Sequence, residues 1–235
     1  MRVAPVVYSV KETPKELLSI FSSLRSDPKI PETLERQVRA SIRLLQEGGV
    51  VAFPTDTLYG LGADFASTTA VQRVLAIKGR SADMGLPLLL CGPEQLPMIA
   101  GEPSEFSRRL ALHFWPGALT LVVRRSAEVS DLVTGGRDTV AVRVPDHPIP
   151  RALAQSLGRP ITGTSANLTG APPSTTAQEV WRQLGARVDH IIDGGPSPLG
   201  RASTILDVSG PVPRMVRAGA ITLEALRRVY PGSIE

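Results

Sequence analysis

The chain holds a single cysteine, Cys91, and only three histidines, His113, His147 and His190, far apart in sequence. One thiol in an apolar run excludes a disulfide framework and a cysteine-based metal site, and the histidine spacing fits no zinc pattern. Aromatic residues are scarce at 4%, so the core has to come mainly from Val, Leu, Ile and Ala. No apolar run reaches the roughly 20 residues of a membrane span. The segment Met1–Val10 is too short and too interrupted for a signal peptide, so a cytoplasmic location without membrane contact is expected. There is no GxxxxGK[ST], and no GxGxxG follows an apolar run. P-loop and dinucleotide fingerprints are therefore excluded, and any nucleotide has to be held by another device.

What is present is ordinary in bulk. The 235 residues suit one large domain, or one domain with a small extension. Hydrophobic residues at 42% and charged residues at 20% fit a globular protein. Glycine and proline, 21 each, are dispersed, which favours many turns between short elements. The net charge of +4 is carried by arginine more than lysine. It fits a solvated surface first, and after that an affinity for phosphate-bearing ligands or RNA.

Residues 1–30, with Pro5, Pro14 and Pro28, read as an N-terminal extension holding one short helix near Lys15–Leu24. The main domain is expected over 31–235. Leu34, Val38, Ile42 and Leu45 repeat at helical spacing until Gly48-Gly49. Val50–Phe53 then reads as a buried strand. A helix capped at Ser67 or Thr68 runs through Ile77, and another spans Ser104–Phe114. Further strands are expected at Leu86–Leu90, Leu119–Val123, Val140–Val144, Pro160–Thr164, His190–Ile192, Ser203–Val208 and Arg214–Arg217. Helices are expected at Ile149–Leu157, after a Thr176–Glu179 capping box, and at Leu223–Val229. The alternation predicts an α/β fold with one helix-covered sheet.

Three polar clusters punctuate this pattern. Pro54–Gly62 follows a strand and supplies Thr55, Thr57 and two glycines suited to close backbone approach. Lys78-Gly79-Arg80 places two cations at i and i+2, facing one anion if the chain is extended. Lys78 equally suits a helix C-terminus, where a cation meets the dipole; Arg80, beyond Gly79, is less simply explained. Ser165-Ala166-Asn167 follows a strand and offers a hydroxyl and a carboxamide, or an Asx turn. A site role for Asn167 predicts that its loss removes activity with little effect on stability. Arg143 and Arg217 end strands, and several such arginines at one sheet end would form an anion basin. No carboxylate cage is visible, so magnesium would be held by phosphates and water.

Phe53–Gly62, Ile77–Arg80, Trp115–Thr120, Val142–Pro145, Thr164–Asn167 with Gly170, and Ser203–Ile205 occur in this order. The chain thereby resembles the YrdC/TsaC-type threonylcarbamoyl-AMP synthase family over roughly residues 34–220. Six ordered motifs are far more specific than one. The resemblance implies a YrdC-like twisted mixed sheet flanked by helices around a concave, positively charged cavity. It implies a nucleotidyltransferase that makes threonylcarbamoyl-AMP and pyrophosphate from L-threonine, bicarbonate and ATP, with Mg2+ carried on ATP. A downstream tRNA threonylcarbamoyl-transferase complex would use the product. Lys78, Arg80, Ser165 and Asn167 would be catalytic and nucleotide-binding, with Thr120 and Arg217 completing the nucleotide site. Thr57, Arg143 and Ser203 would bind L-threonine.

Two departures stand out. Ser81 follows Arg80 where the family usually has proline, and residues 1–30 lie outside the family core. Longer members carry a second, C-terminal domain, expected to be absent here. The alternative reading is a double-stranded RNA-binding module of the same fold, against which the few aromatics and the missing RNP-type motif count. A carbamoyl-transfer domain of hydrogenase maturation proteins is a third reading, disfavoured by the absence of zinc-finger and acylphosphatase segments.

Overall fold

A computed structural model describes residues 32–235; the N-terminal extension, with the helix expected at Lys15–Leu24, lies outside the described residues. Helix α1 (Glu32–Gln46) buries Val38, Ile42 and Leu45. Each such side chain contributes about 1.5–3 kcal/mol on full burial. Gly48, at φ 81°, turns the chain out of the helix, a backbone region that costs glycine nothing. Strand β1 (Val51–Phe53) follows, buried on both faces. Strand β2 (Gly60–Gly62) returns antiparallel to it, with Gly60 opposite Phe53. A Cβ on Gly60 would stand 2.8 Å from the Phe53 ring. The motif glycines therefore make room for a core aromatic, where the sequence suggested room for a ligand.

Helix α2 (Thr68–Lys78) is capped by Ser67, whose side chain accepts from the Ala70 amide, and ends at left-handed Gly79. Then come β3 (Leu88–Leu89), α3 (Leu96–Ile99), α4 (Glu105–Phe114), β4 (Leu119–Arg124), α5 (Asp131–Thr134), β5 (Thr139–Arg143) and α6 (Pro148–Leu157). The remainder is β6 (Ile161–Thr162), β7 (Thr164–Ser165), α7 (Ala177–Leu184), β8 (His190–Ile191), β9 (Thr204–Asp207), β10 (Arg214–Arg217) and α8 (Leu223–Val229). The capping box at Thr176 and Glu179 forms as expected.

The strands build two mixed sheets where one was expected. One has the order β7-β2-β1-β8, the other β10-β9-β4-β5-β3-β6. The run Pro160–Thr164, read as one strand, is divided at Gly163. Its first half pairs with β3, and Thr164 and Ser165 pair with β2 in the other sheet. A side chain at Gly163 would collide with Leu89, and its amide donates to Pro87 O at 2.8 Å, so the chain crosses between sheets at its smallest residue. Leu61, Leu88, Leu119, Leu121 and Val142 belong to the main core, while α1 and α6 pack with Phe53 and Ile161 in a second cluster. Among the described residues, no helix is long and apolar enough to cross a membrane.

Candidate active site

Both sheets contribute walls to a cavity of about 710 Å³, a volume typical of small-molecule sites. Alternate side chains along one face of the six-stranded sheet line it, among them Thr120 and Val122 of β4 and Ala141 and Arg143 of β5, together with loops that leave the other sheet. Five arginines reach it, Arg80, Arg137, Arg143, Arg214 and Arg217, against one carboxylate, Asp207. Burial opposes ionisation of Asp207, but bonds from Ser209 and Arg214 hold its carboxyl below the usual range. Among the described residues, Arg80, Arg137 and Arg217 have no carboxylate partner. The cavity is therefore a basin for anions.

Arg143 ends β5 and is almost fully buried. Its Nε donates to Gly117 O at 2.8 Å, its Nη1 to Thr57 Oγ1 at 2.8 Å, and its Nη2 to Asp56 Oδ1. Burial lowers the guanidinium's pKa, with Asp56 opposing and Arg217 adding to the shift. Thr55 supports Thr57: its hydroxyl donates to Leu58 O at 2.6 Å and lies 3.0 Å from Thr57 Oγ1. Tyr59, in the same motif, donates to Gly195 O, and burial followed by the Asp193 charge pushes its hydroxyl up to about 12. That phenol holds the loop and is no acid–base group near neutrality.

On the second wall, Thr120 of β4 faces Ser203, with the two hydroxyl oxygens 2.8 Å apart. Arg217 Nη2 donates to Ser203 O at 2.8 Å and to Ser203 Oγ at 3.2 Å. Burial, then repulsion from Arg80, lowers the Arg217 pKa. Burial does the same for Arg80, whose Nε has no protein partner. Two guanidiniums that repel one another across a polar cavity are stabilised by an anion between them.

Lys78 is placed differently from the sequence expectation. It is the last residue of α2 and only 1% exposed, and it does not line the cavity. Its Nζ donates to Ser165 O at 2.6 Å, to Asn167 Oδ1 at 2.8 Å and to Asn167 O. Ser165 Oγ also donates to Asn167 Oδ1 at 2.6 Å. Burial, reinforced by the charge of Arg80, brings the Lys78 pKa down to about 8. Because Gly79 turns left-handed, Lys78 points inward behind β7 while Arg80 reaches the cavity. The extended i, i+2 geometry that would aim both cations at one anion is absent here.

Of the nine residues singled out in the sequence, Thr57, Arg80, Thr120, Arg143, Ser165, Ser203 and Arg217 line the one cavity. Lys78 and Asn167 sit directly behind Ser165. Sequence reasoning missed Arg137 and Arg214 on the cavity wall. Arg214 could have been found through the strand-end logic applied to Arg217, since both lie on β10; Arg137, after Gly135-Gly136, carries no local signal. Among the described residues, no three His, Cys, Asp or Glu side chains gather as a metal site. The cavity chemistry of guanidiniums and hydroxyls suits phosphate and carboxylate oxygens.

Comparison with known proteins agrees with this chemistry. The Sua5_yciO_yrdC family model, described as "Telomere recombination", matches residues 43–219. Threonylcarbamoyl-AMP synthase of Bacillus subtilis is 41% identical over 198 residues, covering 84% of this chain and 57% of that protein. The enzyme of the same name from Vibrio vulnificus is 41% identical over 168 residues, covering 71% of this chain and 90% of the relative. The crystal structure of Pyrococcus abyssi Sua5 complexed with L-threonine superposes with a TM-score of 0.82 at 41% identity, covering 84% of this chain and 58% of that one. The chain thus spans a little under three fifths of the Bacillus and Pyrococcus proteins.

Proposed function

Because the chain belongs to the Sua5/YciO/YrdC family, we propose that it is a nucleotidyltransferase forming L-threonylcarbamoyl-AMP from L-threonine, bicarbonate and ATP. One observation carries the reading: seven residues from seven separate sequence segments line a single cavity rich in arginine. The names of the relatives favour this over the RNA-binding alternative. The product would serve a downstream tRNA threonylcarbamoyl-transferase complex, in the cytoplasm.

In this reading the threonine ammonium gives up one proton, and the neutral amine then condenses with bicarbonate to a carbamate, releasing water. The resulting carbamate oxygen attacks the α-phosphorus of ATP, and the bond to the β-phosphate bridging oxygen breaks, releasing pyrophosphate. Arg80 and Arg217 hold phosphate oxygens and offset the charge that grows on the leaving pyrophosphate. Thr120 and Ser203 present hydroxyls beside Arg217. Ser165 contacts the nucleotide, and Asn167 and Lys78 fix its segment from behind, Lys78 adding positive charge. Thr57 and Arg143, with Ser203 on the second wall, receive L-threonine. Magnesium enters on the ATP phosphates, as part of the substrate. The chemistry needs no covalent nucleophile, and its acceleration comes from holding two reactants in line in a charged site.

The test is pyrophosphate release from ATP by the purified chain. Release that requires both L-threonine and bicarbonate supports the reading. Release with neither, or none at all, overturns it.

A further inference from the structure

The cavity arginines differ in one respect that the reaction alone does not explain. Arg80 and Arg217 face it without carboxylate partners, whereas Arg143 is paired with Asp56. Both side chains of that pair are buried, 7% and 8% exposed. Asp56 is not part of the cavity wall; it lies behind Arg143, and its backbone carbonyl is tied down by the Leu199 amide at 3.0 Å. A buried pair of this kind loses most of its Coulomb gain to desolvation, so stability is a poor reason for it. Its effect on the cavity is plain: it cancels one positive charge and fixes the plane of one guanidinium with three hydrogen bonds, to Gly117, Thr57 and Asp56.

We propose that Asp56 is a positioning residue that neutralises Arg143, dividing the cavity into a charge-compensated end for a zwitterionic amino acid and an uncompensated end for phosphates. The inference rests on the proposed function and deepens it. An amino acid carries a carboxylate and an ammonium, so it gains little from excess positive charge but needs a fork held at a fixed angle. A triphosphate gains from every uncompensated cation. Without Asp56, Arg143 would join Arg80 and Arg217, and inorganic anions would compete for the amino-acid end. Asp146, the other carboxylate acting on Arg143, is exposed and makes no ion pair with it.

The experiment is calorimetric titration of the full chain with inorganic pyrophosphate and, separately, with L-threonine. Asp56→Asn keeps the shape and one acceptor but removes the charge. Pyrophosphate should bind roughly threefold to tenfold tighter and L-threonine several-fold weaker. A ratio of the two dissociation constants that moves at least threefold in that direction supports the proposal; a smaller change overturns it and leaves Asp56 a structural partner only. If Asp56→Asn does not fold, the neutral pair Asp56→Asn with Arg143→Gln takes its place. It should bind pyrophosphate within threefold of wild type while losing more than tenfold for L-threonine. Pyrophosphate affinity that falls in parallel would mean Arg143 serves the phosphate end, and the proposal fails. A wild-type chain that binds pyrophosphate but not L-threonine overturns the proposed substrate instead. The pyrophosphate arm of Asp56→Asn then still decides the charge effect, unchanged affinity being the outcome against it.

Discussion

The ammonium of Lys78 and the carboxamide of Asn167 are bound to each other behind the cavity wall, Nζ to Oδ1 at 2.8 Å, with the Asn167 backbone carbonyl accepting from the same ammonium. Asn167 Nδ2 continues the chain of bonds to Ala171 O at 2.6 Å. This pairing changes what substitutions there should do.

Asn167→Ala is expected to cost stability as well as activity. The site role read from the sequence predicted little effect on stability, but removal of the carboxamide strips a buried ammonium of one acceptor, a loss of about 1–3 kcal/mol. A denaturant midpoint equal to wild type, measured beside pyrophosphate release, would show that the network is dispensable for folding.

Arg80→Ala should separate from Lys78→Met. Arg80 has no carboxylate partner and an unsatisfied Nε, so its loss leaves stability unchanged and weakens ATP binding roughly tenfold to a hundredfold, as for one charge-assisted contact. Lys78→Met leaves the Ser165 and Asn167 carbonyls without their donor and should lower both stability and turnover. Thermal melts and KM for ATP distinguish the two; equal destabilisation by both would count against the buried role of Lys78.

Lys78 also sets an alkaline limit. Its pKa of about 8 lies below the ordinary 10.5 because burial, then Arg80, disfavours the charge. Activity that depends on the ammonium should fall as pH rises through about 8. Arg80→Ala removes the repelling neighbour, so its residual activity should fall at higher pH. Between pH 8 and 10.5 the unfolded state holds the extra proton, so this group makes the fold more stable as pH rises through that window. A residual alkaline limb unmoved in Arg80→Ala would break the link.

His147 governs acid sensitivity. Its Nδ1 accepts from the Ile149 amide at 3.2 Å and caps α6. Burial, opposed by Asp146, brings its pKa down to about 4 from 6.5. A depressed pKa means the unfolded chain takes up the proton first. The contribution is complete above pH 6.5 and is lost as pH falls through about 4. His147→Asn retains a cap acceptor without titrating, so its stability should fall less across that window than that of wild type, as denaturant titrations at pH 7, 5.5 and 4 would measure.

Amino-acid selectivity should follow the Thr57 hydroxyl, which accepts from Arg143 and touches Thr55. A pocket that bonds a substrate hydroxyl rejects analogues without it by up to about 10⁴-fold. L-serine should turn over slowly and L-valine more slowly still. Valine as fast as threonine in pyrophosphate release would mean the pocket reads shape alone.

Much of the fold was legible because its signals are local. Ser67 and Thr176 cap the helices predicted from them, since a cap needs only a side-chain oxygen and the next turn of backbone. The site residues were legible as types: strand-end arginines and post-strand hydroxyls do converge. What failed were the non-local choices. Gly60–Gly62 read as a loop, yet pairing to β1 and β7 makes it a central strand. Pro160–Thr164 read as one strand, since periodicity does not reveal which sheet each half joins. The inward turn of Lys78 follows from a single left-handed glycine, and the partner that makes its burial tolerable lies 89 residues away.

Gly163 has a mechanical consequence. A single unbroken segment gives one strand to each sheet, and the Thr162 amide and hydroxyl tie it again to Ala63 on the neighbouring wall. The sheets are therefore riveted together beside the cavity and cannot slide or gape as plates. The stretch from Arg80 to Pro87, whose arginine and apolar side chains form part of the wall, is tied in turn to α5 by the Leu86 amide, which donates to Val133 O at 2.7 Å. Walls joined in this way fix the distance between the two guanidinium groupings before any reactant arrives.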